Sequence, residues 1–177
     1  ELIYAPIQES NMSRPLSQFT KPVVIGTTKE EGNIYIRNES RKLSPERFVE
    51  VMTLNDIHLH ISQAQTGKDQ ARMVTTHYFE TPAISFLNQL DNNPHCWKLR
   101  FDWCLSNASP FQSAYHILDL VFWFGKLEIL KAHGVNSLEH ERHLSKHMID
   151  DLIYFATYHT MPWPSYSPQT PYCYIYK

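Results

Sequence analysis

Two residues, Glu31 and His116, lie in local sequence settings that suit the charge relay of a hydrolytic enzyme. Glu31 follows a short apolar run at 22–28, and His116 precedes an apolar, aromatic run that ends at Gly125. A carboxylate can accept the Nδ1–H of a histidine and hold its tautomer, so that the histidine can take a proton from a serine. The sequence therefore predicts Glu31 as the acid and His116 as the base of a catalytic triad.

The nucleophile of such a triad is not evident in this chain. A nucleophile elbow needs the pattern Gly-x-Ser-x-Gly. The chain has five glycines, at positions 26, 32, 67, 125 and 134, and no two of them are four residues apart. We therefore expect the serine to lie on a segment outside these 177 residues.

Other acidic and imidazole side chains offer weaker hypotheses. Asp119, three residues after His116, could brace the histidine loop as a supporting residue, or could equally be a helix N-cap. Three histidines share one helix face with an acidic neighbour, and a second pair lies upstream (His140, His143, His147, Glu139; His58, His60). Zinc would need a fourth ligand and outer hydrogen bonds. We expect an exposed polar face there, with no metal and no cofactor.

The elements that must position Glu31 and His116 follow an α/β pattern. The run at 23–28 is typical of a buried parallel strand. Large apolar residues alternate with charged ones at 97–103, which predicts a half-buried strand with four apolar side chains on one face (Trp97, Leu99, Phe101, Trp103). Two strands make a small sheet, so we expect the sheet to be incomplete and the far edge of these strands to lack a partner.

Helices are predicted between and after these strands. Ser44 is the expected N-cap of a helix with Pro45 at its first position and an apolar side formed by Phe48, Val51, Met52 and Leu54. Residues 69–90 are expected to be helical, with a kink or a new segment at Pro82. A last helix over 137–158 should be capped by Ser137, with Leu144, Met148, Leu152 and Phe155 on one face. The proline-rich tail at 161–171 is expected to be irregular.

Composition sets the class of protein. A chain of 177 residues with 42% apolar and 19% charged residues suits a single globular domain over 1–177. A net charge of -2 gives no electrostatic footprint for nucleic acid. No stretch approaches the ~20 apolar residues that span a bilayer. The first residues lack a signal peptide and a Met, which we interpret as an internal start, so localisation, cytoplasmic or secreted, stays open.

Five segments in order resemble the type-B carboxylesterase/cholinesterase family of α/β-hydrolases, as the C-terminal portion of a longer enzyme. Residues 22–32 resemble its strand ending in Asp-Glu-Gly, and residues 115–125 its histidine loop. The others resemble its Phe-x-Pro-Val segment, its Tyr-x-Tyr-x-Phe strand and its late helix with a Trp-Pro-x-Tyr tail (4–7, 97–103, 144–166). Tyr115 and Ile117 depart from the small residue and the glycine usual beside the histidine.

The resemblance implies a serine carboxylesterase with a Ser-Glu-His triad and an α/β-hydrolase fold of which this chain is a C-terminal fragment. It implies Glu31 and His116 as catalytic residues, a small-molecule ester as substrate and no cofactor. Expected partners are the missing N-terminal segment or a second copy of the chain. The alternative is a catalytically inactive, esterase-like interaction or adhesion module, since the same fold can serve binding.

Overall fold

The computed structural model describes residues 18–36, 39–90, 93–105 and 110–177. The segment at 4–7 and part of the loop before His116 lie outside the described residues. Within these ranges the elements are three strands, six α-helices and several short turns. The strands are β1 (Val23–Thr28), β2 (Cys96–Phe101) and β3 (Tyr174–Tyr176); the helices are α1 (Pro45–Thr53), α2 (Gly67–Thr75), α3 (Thr81–Gln89), α4 (Leu118–Trp123), α5 (Glu128–Ala132) and α6 (Glu139–Tyr158).

The sheet is parallel throughout, in the order β1-β2-β3. Thr28 of β1 is aligned with Phe101 of β2, and Phe101 is aligned with Tyr176 of β3. Parallel neighbours must be joined by crossovers, and in this chain the crossovers carry the helices. The predicted α/β architecture, with parallel strands flanked by helices in an open sheet, is confirmed.

The position of β2 in the sheet differs from the expectation. The sequence predicts a bare edge for the strand over 97–103, but β2 is the central strand and β3 pairs with it. The sequence does not indicate β3, because Tyr174–Tyr176 is only three residues long and its alternation cannot be distinguished from the irregular tail. Among the described residues, β1 has a strand partner on one side only.

The main core forms where β2 packs against α4 and α6. The four apolar side chains predicted on one face of β2 and its continuation are all buried. Phe122 of α4 lies between Phe101 and Trp103, with ring centroids 5.0 and 4.8 Å away. Each such buried side chain contributes ~1.5–3 kcal/mol. This core fixes the end of β2, from which the chain leads to His116.

Helix α6 differs in detail from its prediction. It begins at Glu139, and Leu138, not Ser137, occupies the N-cap position without a side-chain cap. Leu144 and Met148 are buried as expected, but Leu152 is 49% exposed. A polar residue, Asp151, takes the buried position next to it and accepts a hydrogen bond from the Tyr176 hydroxyl at 2.7 Å. This bond ties α6 to β3, a contact that the apolar pattern alone could not predict.

Helix α1 follows its prediction closely. The Ser44 hydroxyl accepts from the backbone N–H of Arg47, and Pro45 opens the helix. Phe48 and Met52 are buried, whereas Leu54, expected on the same face, lies just past the end of the helix and is 77% exposed. The helix therefore packs through fewer side chains than its sequence predicts.

The helical stretch expected over 69–90 is continuous but contains a π-helical turn. Helix α2 begins at Gly67, two residues early, because Thr66 and Asp69 form a reciprocal capping box. A π-helical turn, Thr76–Glu80, then joins α2 to α3. Pro82 has no N–H and its ring clashes with the carbonyl four residues back, so a wider turn at this point is the expected response. None of the helices in the described part of the chain is long and apolar enough to span a membrane.

Candidate active site

Glu31 lies in the turn that follows the carboxyl end of β1. The short 3-10 turn Glu31–Ile34 folds the acid back under the strand, where it is only 4% exposed. Its Oε1 accepts a hydrogen bond from the backbone N–H of Thr28 at 2.6 Å. A buried carboxylate is costly unless it is hydrogen-bonded, and this backbone bond offsets part of that cost while fixing the direction of the second oxygen.

His116 completes the pair from the loop between β2 and α4. Its Nδ1 lies 2.7 Å from Oε2 of Glu31. An ionised carboxylate can only accept, so the proton of this bond belongs to Nδ1. In the neutral imidazole this tautomer leaves the lone pair on Nε2, the nitrogen that a general base would use. The predicted proximity of Glu31 and His116 is confirmed, while their catalytic roles stay predictions.

Two aromatic rings flank the imidazole. Phe79, in the π-helical turn, has its ring centroid 5.1 Å from that of His116, and Tyr35 lies at 6.2 Å. Together they limit how far the ring can rotate about the bond to Glu31. The side chain of His116 is still 35% exposed. No pattern in the sequence indicates either aromatic residue. The position of Phe79 depends on the π-helical turn in which it lies.

Helix α2 is hydrogen-bonded to the turn that carries Glu31. The backbone N–H of Gly32 donates to Oγ1 of Thr75 at 2.9 Å, and the same hydroxyl donates to the carbonyl of Ala71. Thr75 is 5% exposed. A buried threonine thus connects the acid turn to the helix, a role that its sequence position, 43 residues later, does not signal.

Ile117 and Asp119 form the entry to α4. Ile117 is the N-cap residue and has a left-handed backbone with φ of 67°. The N-cap alternative for Asp119 is therefore wrong. Its carboxylate instead accepts from Nε1 of Trp123 at 3.2 Å. Burial, and then the nearby charge of Glu31, raise the pKa of Asp119. Its supporting role in the site stays a prediction.

The histidine cluster on α6 does not form a metal centre in the described residues. His140, His143 and His147 are exposed, and no group of three or more ligating side chains in the described ranges could hold a metal ion. Nε2 of His147 instead contacts Asp151 at 3.2 Å, one turn along the helix.

A cleft of about 820 Å³ lies beside the acid turn rather than over His116. Its lining carries both signs of charge, with three basic and four acidic side chains (Lys29, Lys68, Arg72; Glu30, Glu39, Asp69, Glu80). Such a mixed lining does not favour a ligand of one charge. His116 is not among the residues that line this cleft.

Comparison with known proteins places these features in context. No protein-family model matches the chain. It is similar to the para-nitrobenzyl esterase of Bacillus subtilis (strain 168), with 26% identity over 160 residues, which cover 84% of this chain and 32% of that protein. Among solved structures it resembles a PNB esterase, with a TM-score of 0.72, 26% identity and coverage of 88% of this chain and 34% of that one. A thermophilic PNB esterase has a TM-score of 0.74 at 24% identity with the same coverage.

The chain therefore spans about a third of the length of the relatives it matches. The sequence similarity and the shared fold agree with the resemblance found from its motifs. In sequence and in fold, this chain is similar to about a third of the length of the para-nitrobenzyl esterases, which supports an α/β-hydrolase fold and is consistent with a resemblance to the carboxylesterase/cholinesterase family.

Proposed function

We propose that this chain supplies the acid and the histidine of a Ser-Glu-His triad in a serine carboxylesterase. The observation that carries the proposal is the 2.7 Å hydrogen bond between Nδ1 of His116 and Oε2 of Glu31. The name of the Bacillus relative supports esters of small molecules as the substrate class. The whole enzyme would extend beyond this chain, with residues 1–177 as one C-terminal domain.

In the proposed reaction a serine from outside these residues attacks the ester carbonyl. Nε2 of His116 takes the serine proton and returns it to the leaving alcohol, and Glu31 stabilises the imidazolium that forms between these steps. Water then attacks the acyl-serine with the same histidine as base, which releases the carboxylic acid. Donors for the oxyanion would also come from outside this chain.

The arrangement of Glu31 supports this assignment. Its Oε1 is occupied by the N–H of Thr28, so that Oε2 is directed at the imidazole. At 4% exposure, the carboxylate interacts with the imidazolium through little solvent. Both features favour a fixed tautomer, which is what general-base catalysis requires.

The test compares the 177-residue chain with a protein extended upstream of Glu1 by its own reading frame. We expect the short chain to hydrolyse p-nitrophenyl and p-nitrobenzyl esters at background rates and to resist fluorophosphonate labelling. The extended protein should label and turn over. In it, Glu31→Gln should lower kcat on the order of 10⁴-fold, whereas Glu46→Gln, on the exposed face of α1, should leave kcat unchanged.

Two results would contradict the proposal. One is serine-type turnover and labelling of the short chain itself, since it would place a nucleophile within these residues. The other is an extended protein that folds but neither labels nor hydrolyses esters, which would favour an inactive interaction module.

A further inference from the structure

We propose that Glu30 is a positioning residue whose carboxylate holds the histidine loop in register with the Glu31 turn. This inference rests on the proposed function, because it concerns the same pair of residues. Glu30 does not touch the imidazole. It acts through Ala114, which precedes His116 by two residues.

The contact between Glu30 and Ala114 is reciprocal. The backbone N–H of Glu30 donates to the carbonyl of Ala114 at 2.9 Å. In return, the backbone N–H of Ala114 donates to Oε2 of Glu30 at 3.1 Å. The bond from Glu30 to the Ala114 carbonyl belongs to an isolated parallel bridge between Glu30 and Tyr115. The two loops are thereby joined directly next to Glu31 and His116.

The side chain is needed at this point because the strands have already ended. The ladder between β1 and β2 stops at Thr28 and Phe101, so it does not reach the histidine loop. The Glu30 carboxylate takes the place of a neighbouring backbone carbonyl as acceptor for Ala114. Without it, the loop would lose the side-chain bond that holds Ala114, and the contact would depend on the backbone bridge and on the bond between Glu31 and His116.

Burial makes this acceptor important. Ala114 is 0% exposed, so solvent does not readily replace a lost partner of its N–H. A buried donor without an acceptor is unfavourable, and the backbone would shift to relieve it. A shift at Ala114 would carry His116 with it, and even a small displacement of a catalytic group lowers its effectiveness strongly.

The carboxylate of Glu30 borders the charged cleft, beside Lys29 and Ser113. It is half-buried, and its Oε2 faces the loop. The role requires an acceptor oxygen at the length of a glutamate side chain, and a negative charge is not essential to it. Glutamine should therefore substitute for Glu30, whereas methionine, of similar length but without an oxygen, should not.

The experiment measures the Nδ1–H proton of His116 by NMR in the 177-residue chain with ¹⁵N-labelled histidine. His116→Gln assigns the resonance, and Glu31→Gln shows that it depends on the carboxylate. In Glu30→Met and Glu30→Ala we expect exchange of this proton with water to become up to about tenfold faster, as for the loss of one hydrogen bond. Glu30→Gln should retain the wild-type rate, and Glu46→Met is the matched control.

A second measurement separates positioning from general stability. Amide exchange should show lost protection at Ala114 in Glu30→Met and Glu30→Ala, with the core amides of β2 unchanged. Wild-type exchange of the His116 proton in either folded variant would overturn the inference. Absence of a protected His116 proton in the wild-type chain, or its persistence in Glu31→Gln, would instead contradict the proposed function.

Discussion

Gly32 lies so close to helix α2 that a Cβ atom added to it would be 2.0 Å from the carbonyl oxygen of Ala71. The next backbone atoms of Ala71 would be 2.8 and 3.0 Å away. Since backbone cannot move aside as a side chain end can, only glycine fits at the residue after Glu31. This close contact holds the acid turn against α2 and so helps to fix the position of Glu31 relative to His116.

Replacing Gly32 with alanine should therefore separate the turn from the helix. We expect Gly32→Ala to lower the free energy of unfolding by about 1–3 kcal/mol, the range for overpacking a tight contact. Urea denaturation followed by circular dichroism measures it. The comparison is Gly26→Ala, where the added Cβ would meet the end of the Leu99 side chain at 2.7 Å. That end can rotate, so an equal or larger loss in Gly26→Ala would contradict the prediction.

Isoleucine at position 117 should lower the stability of the fold because of its backbone conformation. Its φ of 67° is a left-handed conformation in which a β-branched side chain is strained, and the side chain is 49% exposed, so its burial offsets little. Ile117→Gly should raise the free energy of unfolding by about 1 kcal/mol.

The control for Ile117 is Ile129, similarly exposed at 44% but inside the right-handed helix α5. Ile129→Gly should lower stability by about 0.5–1 kcal/mol because glycine disfavours a helix. Thermal unfolding of the two variants side by side tests the sign, and a loss of stability in Ile117→Gly would show that its strain is compensated elsewhere.

Asp119 should make stability depend on pH. Its pKa is raised from 3.8, first by burial and then by the charge of Glu31. A raised pKa means that the folded state holds the proton more tightly than the unfolded state, so stability is lost as pH rises from 3.8 through the folded pKa. Asp119→Asn has no such loss and keeps an oxygen for Trp123.

We expect Asp119→Asn to have the same free energy of unfolding as the wild type below pH 3.8, the unfolded pKa. Above the folded-state pKa of Asp119, the variant should be more stable than the wild type. Urea titrations at a series of pH values measure this difference. A variant less stable than the wild type at neutral pH, with the same pH slope, would contradict the direction of the shift.

The free side of β1 should recruit another chain. Within the described residues, β1 pairs with β2 alone, and an unpaired edge can add a strand. We expect the 177-residue chain to associate, either with a second copy or with the segment that precedes it in the whole protein. Light scattering over a wide concentration range tests this. A monomeric mass that stays constant with concentration, and does not change when the upstream fragment is added, would show that the edge is covered.

The parts of the fold that can be predicted from sequence are those with a repeating pattern or a stereotyped cap. β2 is evident from its alternation, α1 from Ser44 and Pro45, and the pairing of Glu31 with His116 from the order of their segments. In each case local chemistry and tertiary structure favour the same arrangement.

The parts that cannot be predicted depend on contacts between distant residues. Asp151 is buried because Tyr176 reaches it from the far end of the chain, and Leu152 is exposed as a result of the same helix orientation. Phe79 meets His116 because of a π-helical turn, and Thr75 supports Gly32 across 43 residues. No periodicity carries such information, since each contact is set by packing.

The sequence separation of 85 positions between Glu31 and His116 bears on how the chain folds. The two side chains can meet only after β1 and β2 have aligned in parallel, a pairing with a large loop-closure entropy and no local hairpin to start it. We therefore expect the hydrogen bond between them to form late, after local helices such as α1 and α6. In refolding kinetics, acquisition of this bond would mark completion of the native topology, whereas recovery of helical signal would precede it.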